Sequence, residues 1–173
     1  VAPTELVQEC AKGLIRIRKD GSRLAFAAPA MTRTTPEPNL LAKVIHALGL
    51  QTKQVLGAQL LDNGPVWLGL LLDSAETLLR LTPDHTALKS LGQKVGLAHI
   101  DKSMEAPSLI ARSNREARAF GTRTPGNKDE TGRVQVTVRA FAAAVGVDED
   151  PVTGSLNASL AQWLIADGLA PDQ

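Results

Sequence analysis

Two apolar runs, residues 55–61 and 65–72, flank the tripeptide Asp62-Asn63-Gly64. Asn-Gly is a strong turn signal, because both central residues of a type I′ turn need φ > 0. The pattern predicts a β-hairpin, which makes the two strands antiparallel neighbours. A second such unit lies upstream, where residues 14–18 alternate, Asp20-Gly21 turns the chain and residues 24–27 form the return run. Two hairpins argue for an antiparallel sheet and against a doubly wound parallel one.

Helical patterns are interspersed with these strands, so the fold class is α+β. Pro29, Pro36 and Pro38 punctuate a linker or lobe boundary. Leu40, Leu41, Val44, Ile45 and Leu48 share one helical stripe, with Gly49 as its stop. Thr82-Pro83-Asp84 predicts a helix start, with Thr82 as N-cap, Pro83 first in the helix and Leu88, Leu91 and Val95 as its apolar face. Residues 97–100 and 108–111 are weaker strand candidates, and 122–132 reads as an exposed, glycine-rich loop. Val134, Val136 and Val138 alternate with Gln135, Thr137 and Arg139, the clearest half-buried strand. Leu156, Leu160, Trp163 and Leu164 form a last helical stripe, closed by Gly168.

The 173 residues suit one domain or a little more, and 43% hydrophobic content is enough for a core. A net charge of +1 argues against a nucleic-acid partner, and two Trp, three Phe and no Tyr leave little for base stacking. No apolar run reaches the roughly 18 residues of a membrane span. The single cysteine, Cys10, excludes an internal disulfide framework and a multi-cysteine zinc site, fits a reducing, cytoplasmic setting, and reads as a buried inert thiol on strand-forming chain. His46, His85 and His99 lack i, i+4 ligand spacing, so no metal is expected, and no G-x-x-x-x-G-K-[ST] phosphate loop is present. Arg112, Arg115, Arg118 and Arg123 are interrupted by Glu116, Asp129 and Glu130, the pattern of a solvated face. Trp67 and Trp163 fall on apolar stripes and read as core. The chain starts and stops without evident caps, and is expected to be a piece of something longer.

Chemistry concentrates between the best strand and the last helix, where Gly146-Val147-Asp148-Glu149-Asp150-Pro151-Val152-Thr153-Gly154-Ser155 follows Arg139-Ala140-Phe141. Asp148, Glu149 and Asp150 repel one another unless solvent or donors stabilise them. Thr153, Gly154 and Ser155 sit where a helix begins, with about four unpaired N–H groups and roughly half a positive charge. A carboxylate or phosphate satisfies both, and a glycine lets it approach the backbone. Asp150 beside such a helix end suits proton transfer on a small carboxylic acid. The plain alternative is Ser155 as an N-cap, Asp150 as an exposed loop acid and Gly154 as a turn residue.

The run Glu149-Asp150-Pro151-Val152-Thr153-Gly154-Ser155 resembles the E-D-P-V-T-G-S signature of the PhzF-like (phenazine-biosynthesis-like) family. Arg139-Ala140-Phe141 is similar to that family's R-x-F, Leu160-Ala161-Gln162-Trp163-Leu164 to the helix that follows, and Asn63-Gly64-Pro65-Val66-Trp67-Leu68 to its G-P-x-W-L strand start. Lys12-Gly13-Leu14-Ile15 and Phe26-Ala27-Ala28-Pro29 are similar to its G-x-(I/V) strand and F-x-x-P boundary. The resemblance implies a diaminopimelate-epimerase-like fold of two lobes, each a curved, mostly antiparallel sheet around a central helix, with the active site between them. It implies cofactor-independent isomerase chemistry, a small carboxylate substrate and a homodimer. Asp150 would position substrate or relay a proton, and Thr153, Gly154 and Ser155 would hold the anion.

The family's catalytic Glu and its G-H-x-T-like helix start have no counterpart before residue 12, and the cysteine pair of related racemases is absent. The expectation is therefore the tail of a first lobe, residues 1–31, and a second lobe, 32–173, that ends after its central helix and is inactive alone. A non-catalytic small-anion-binding module and a truncated pseudoenzyme that pairs its sheet edges with another chain stand as alternatives.

Overall fold

The computed structural model describes residues 5–10, 13–20, 23–26, 28–101 and 135–170. Strands β1 (Glu5–Cys10), β2 (Gly13–Asp20) and β3 (Arg23–Phe26) form an antiparallel sheet in that order. The expected upstream hairpin is β2–β3, closed by the pair Asp20↔Arg23. Cys10 lies on a strand as expected, and its side chain is outside the described residues.

A second sheet has the order β4 (Thr32–Thr34), β5 (Val55–Asp62), β6 (Val66–Leu72), β7 (Val95–Asp101) and β8 (Gln135–Phe141). Its pairings are antiparallel except β6–β7, which is parallel. That exception has a cause in the chain: α2 (Ala75–Arg80) and α3 (His85–Leu91) carry the crossover that a parallel pair requires. The architecture is α+β, with a mostly antiparallel sheet against which α4 (Gly154–Ala166) packs.

The hairpin at Asn63-Gly64 forms, but not through the expected type I′ turn. Asp62 pairs with Val66, leaving a three-residue connection, and only glycines among the described residues have positive φ. Asp62 Oδ1 accepts from the Gly64 N–H at 2.8 Å, and Gly64 alone takes the left-handed backbone, at φ 122°. The carboxylate completes the turn locally, and Pro65, which has no N–H, cannot extend the ladder inward.

Helix α1 (Pro38–Ala47) carries the expected stripe, begins on Pro38 itself, and is followed by Gly49 at φ 69°. For α3 the cap differs from the expectation: Asp84, not Thr82, is the N-cap, its Oδ1 accepting from the Ala87 N–H at 2.9 Å. A carboxylate there also faces the positive helix end, which a threonine two residues earlier does not reach. Gly92, at φ 67°, ends this helix after Leu91, so Val95 belongs to β7 rather than to the helix face. Residues 108–111 and 122–132, Val134 and the arginines 112, 115, 118 and 123 lie outside the described residues.

Both faces of the larger sheet are covered. On one, Leu68, Leu70, Leu72, Val95, Leu97 and Phe141 pack with buried side chains of α1, α2 and α3. On the other, Leu61, Trp67, Ala98 and Ala140 meet Leu156, Leu160 and Trp163 of α4. This second face is floored with small residues. A Cβ on Gly96 would lie 2.2 Å from Leu156 Cδ1, and one on Gly69 3.1 Å from Trp163 Cζ3. Gly69 and Gly96 are register partners, so α4 beds its side chains into a paired gap in the pleat.

No helix among the described residues is long and apolar enough to cross a membrane. No described group of three or more His, Cys, Asp or Glu side chains could hold a metal ion.

Candidate functional site

The site is built where β8 hands the chain to α4. A 3₁₀ turn, Ala143–Val145, and Gly146 at φ 87° reverse the backbone, and Ala142 bridges Val147. The Asp150 N–H then donates to the Ala140 carbonyl at 2.9 Å, which returns the loop to the end of β8.

Of the three successive carboxylates, Glu149 and Asp150 point to different partners. Glu149 receives Arg139 through two bonds, Nε to Oε1 at 2.7 Å and Nη2 to Oε2 at 2.8 Å, the bidentate geometry in which guanidinium is strongest. Arg139 Nη1 donates to the carbonyls of Leu78 (3.1 Å) and Leu81 (2.9 Å), orphan acceptors at the end of α2. Its guanidinium carbon lies 4.9 Å from the Phe141 ring centroid. Those bonds hold the Glu149 carboxyl below its usual range, against the opposing pull of partial burial. Asp150 Oδ1 accepts from the Val152 N–H at 3.0 Å, an Asx turn that aims the carboxylate along the loop.

Thr153 is the N-cap residue of α4, yet it makes no side-chain cap bond; its hydroxyl donates back to the Asp150 carbonyl at 3.4 Å and it is buried. No acidic residue occupies the first turn. Gly154 opens the helix on the surface, with nothing within 4 Å of where a Cβ would stand and no positive φ. Neither packing nor backbone conformation requires a glycine there. Ser155 follows, half-buried, so the plain reading of it as the N-cap does not hold.

Two residues of the β5–β6 hairpin hold Ser155. The indole Nε1–H of Trp67 donates to Ser155 Oγ at 3.0 Å, and Asn63 Nδ2 donates to the Ser155 carbonyl at 3.0 Å. Lys94 Nζ lies 5.0 Å above the Trp67 ring. Asp150, Thr153, Gly154 and Ser155 thus gather at one end of α4, with the helix amides uncapped by any side chain among the described residues. The sequence singled out those four, but did not reveal that Asn63 and Trp67 bond Ser155 or that Arg139 bonds Glu149. Trp67 is core, as expected, but it is also a donor, and nothing in an apolar stripe signals where an indole N–H points. Arg139 was expected on a polar strand face; the adjacent Phe141 was the available sign of a covered one.

Compared with known proteins, residues 1–173 match the sequence profile of the PhzC-PhzF family, described as phenazine biosynthesis-like protein. "Antisense-enhancing sequence 1" of Schizosaccharomyces pombe is 26% identical over 161 residues, covering 87% of this chain and 45% of that protein. A PhzF-family phenazine biosynthesis protein from Bacillus anthracis has a similar structure, with TM-score 0.67 at 15% identity over 95% of this chain and 50% of the other. A predicted epimerase from Pseudomonas aeruginosa has TM-score 0.56 at 20% identity, over 96% and 50% of the two chains. At these identities the structural likeness is one of fold. The chain spans about half the length of these relatives.

Proposed function

This chain belongs to the phenazine biosynthesis-like family, and on that premise we propose that residues 150–155 form one half of an isomerase-type site for a small carboxylic acid. The observation that carries the proposal is the α4 N-terminus: uncapped by any side chain among the described residues, opened by a surface glycine that the fold does not require, and adjacent to the Asp150 carboxylate. The helix amides of Gly154 and Ser155, with the Ser155 hydroxyl, hold the substrate anion. Thr153, buried under the loop, sets the approach of that first turn rather than reaching outward.

The reaction is a proton shift without a cofactor. A base removes a proton from carbon, the electron pair passes into the neighbouring unsaturated group, and a proton returns at a different position or face. Asp150 positions the substrate or relays that proton. The opposing acid/base belongs to a first lobe, of which residues 1–31 are the tail; residues 32–173 make the second lobe. On this reading the 173 residues bind but do not turn over alone, and the working protein is a cytoplasmic homodimer. The predicted epimerase from Pseudomonas aeruginosa, alike in fold, supports the same reaction class.

An intact mass on the purified protein is the first test. A mass clearly above 18.3 kDa admits the first-lobe half, and solvent deuterium must then enter members of a small-carboxylate panel and stop in Asp150→Asn. A mass of 18.3 kDa with carboxylate binding and no exchange leaves a binding module. Absence of carboxylate binding at the α4 end in either case overturns the proposal.

A further inference from the structure

Trp67 is 2% exposed, so its indole N–H needs a protein partner, and Ser155 Oγ at 3.0 Å supplies it. An indole nitrogen can only donate, whereas a hydroxyl has one hydrogen to give and two lone pairs. With Trp67 donating into one lone pair, the Ser155 hydrogen must point away from the indole. No described residue accepts that hydrogen: Trp67 Nε1 is the partner of Oγ, and Asn63 Nδ2 takes the backbone carbonyl. The indole itself is fixed between the packing of α4 and the ammonium of Lys94 over its face.

Asn63 adds to the same constraint. A carbonyl can face only the amide's NH2, so the bond to the Ser155 carbonyl sets the side-chain orientation and leaves Oδ1 buried without a partner. An orphaned acceptor of this kind costs stability. The fold tolerates it to hold the first turn of α4 in place.

We propose that Trp67 is a positioning residue that fills one lone pair of Ser155 Oγ and turns its hydrogen away from the indole, so that the hydroxyl is set to donate to a ligand acceptor, such as a carboxylate oxygen, at the α4 end. The inference rests on the reading of the α4 end as an anion seat. It adds a specificity device remote from the helix amides, contributed by the strand beneath.

The test uses the full chain labelled with 15N and benzoate as the probe. Trp163 is the internal standard, because its indole N–H goes to Asp167 Oδ2 at 2.7 Å and not to the site. Ser155→Ala is expected to shift the Trp67 indole resonance and leave that of Trp163; an unmoved Trp67 resonance overturns the inference. Benzoate binding is read at the Gly154 and Leu156 amides. Trp67→Phe should weaken it about fivefold, the size of one net hydrogen bond, in the otherwise unchanged chain and leave it unchanged when Ser155→Ala is already present. Equal weakening in both backgrounds overturns the inference, since Trp67 then only shapes the fold. No benzoate-dependent shift in the unsubstituted chain overturns the anion-seat reading and the inference with it, a failure recognisable because the Ser155→Ala indole shift persists. Should Trp67→Phe fail to fold, Ser155→Thr decides: it keeps the hydroxyl, so it should retain the part of the benzoate affinity that Ser155→Ala gives up, and equal weakening in both overturns the inference.

Discussion

The two faces of the five-stranded sheet are both buried, but they are made differently. The face under α1, α2 and α3 is filled by large aliphatic side chains, Leu68, Leu70, Leu72 and Leu97 among them. The face under α4 is thinned by Gly69, Gly96, Ala98 and Ala140, and the helix fills the gaps with Leu156 and Trp163. On the first face strands and helices share the work of filling space, so a lost side chain leaves a hole. On the second the strands supply the hole and the helix the knob, so an added side chain displaces the helix that carries the site. Stability is concentrated on one side and site geometry on the other.

Six substitutions break or sharpen that contrast. Leu97→Ala, on the aliphatic face, should cost about 3 kcal/mol in chemical denaturation while leaving carboxylate affinity at the α4 end within about twofold. Gly96→Ala should cost about 2 kcal/mol through overpacking but abolish carboxylate binding, because Leu156 cannot keep its place. Adding Leu156→Ala should recover part of that stability; no recovery would mean that the clash of the added methyl with Leu156 relaxes elsewhere.

Arg139→Met removes the donor to the Leu78 and Leu81 carbonyls and should cost about 1–2 kcal/mol, as buried acceptors left unpaired do. The same pair sets a pH dependence. Glu149 is held below its ordinary value by Arg139, so its contribution is fully present above the usual glutamate range and is lost as pH falls through the depressed folded value. With the Glu149 side chain 41% exposed, solvent screening limits that contribution to about 1 kcal/mol or less. Glu149→Gln should flatten the acid limb of a stability profile from the usual glutamate range downward; an unchanged limb refutes the assignment. The smallest effect is Gly154→Ala, which should raise stability by about 0.5 kcal/mol, since alanine is the better helix residue and the space is open. The same change should weaken carboxylate binding, and a gain in stability with unchanged binding would remove Gly154 from the site.

Much of this was legible in the sequence. The stripe Leu156, Leu160, Trp163 and Leu164 located α4, both hairpins were found, and the Glu149–Ser155 run identified the family and its loop. What stayed hidden has a common physical cause: periodicity says which residues share a face but not whether a layer covers it or how near that layer comes. Arg139 therefore read as solvent-facing when α2 closes over it, Gly69 read as an ordinary member of an apolar run, and Gly96 was not singled out. Turn and cap chemistry failed by another route, since Asp62 and Asp84 each bonded a nearby N–H more directly than the residues expected to do so.

Helix α4 is tethered at both ends. Trp67 and Asn63 hold its first turn, while Arg33 of β4 meets Asp167, just past its last, at 2.7 Å. Between those ends Leu156 and Trp163 are sunk in the glycine gaps, so rolling or sliding the helix would break the tethers and the interlock together. In mechanical terms the helix is an anvil. A ligand seated on its first turn would rest on a surface held fixed from both ends.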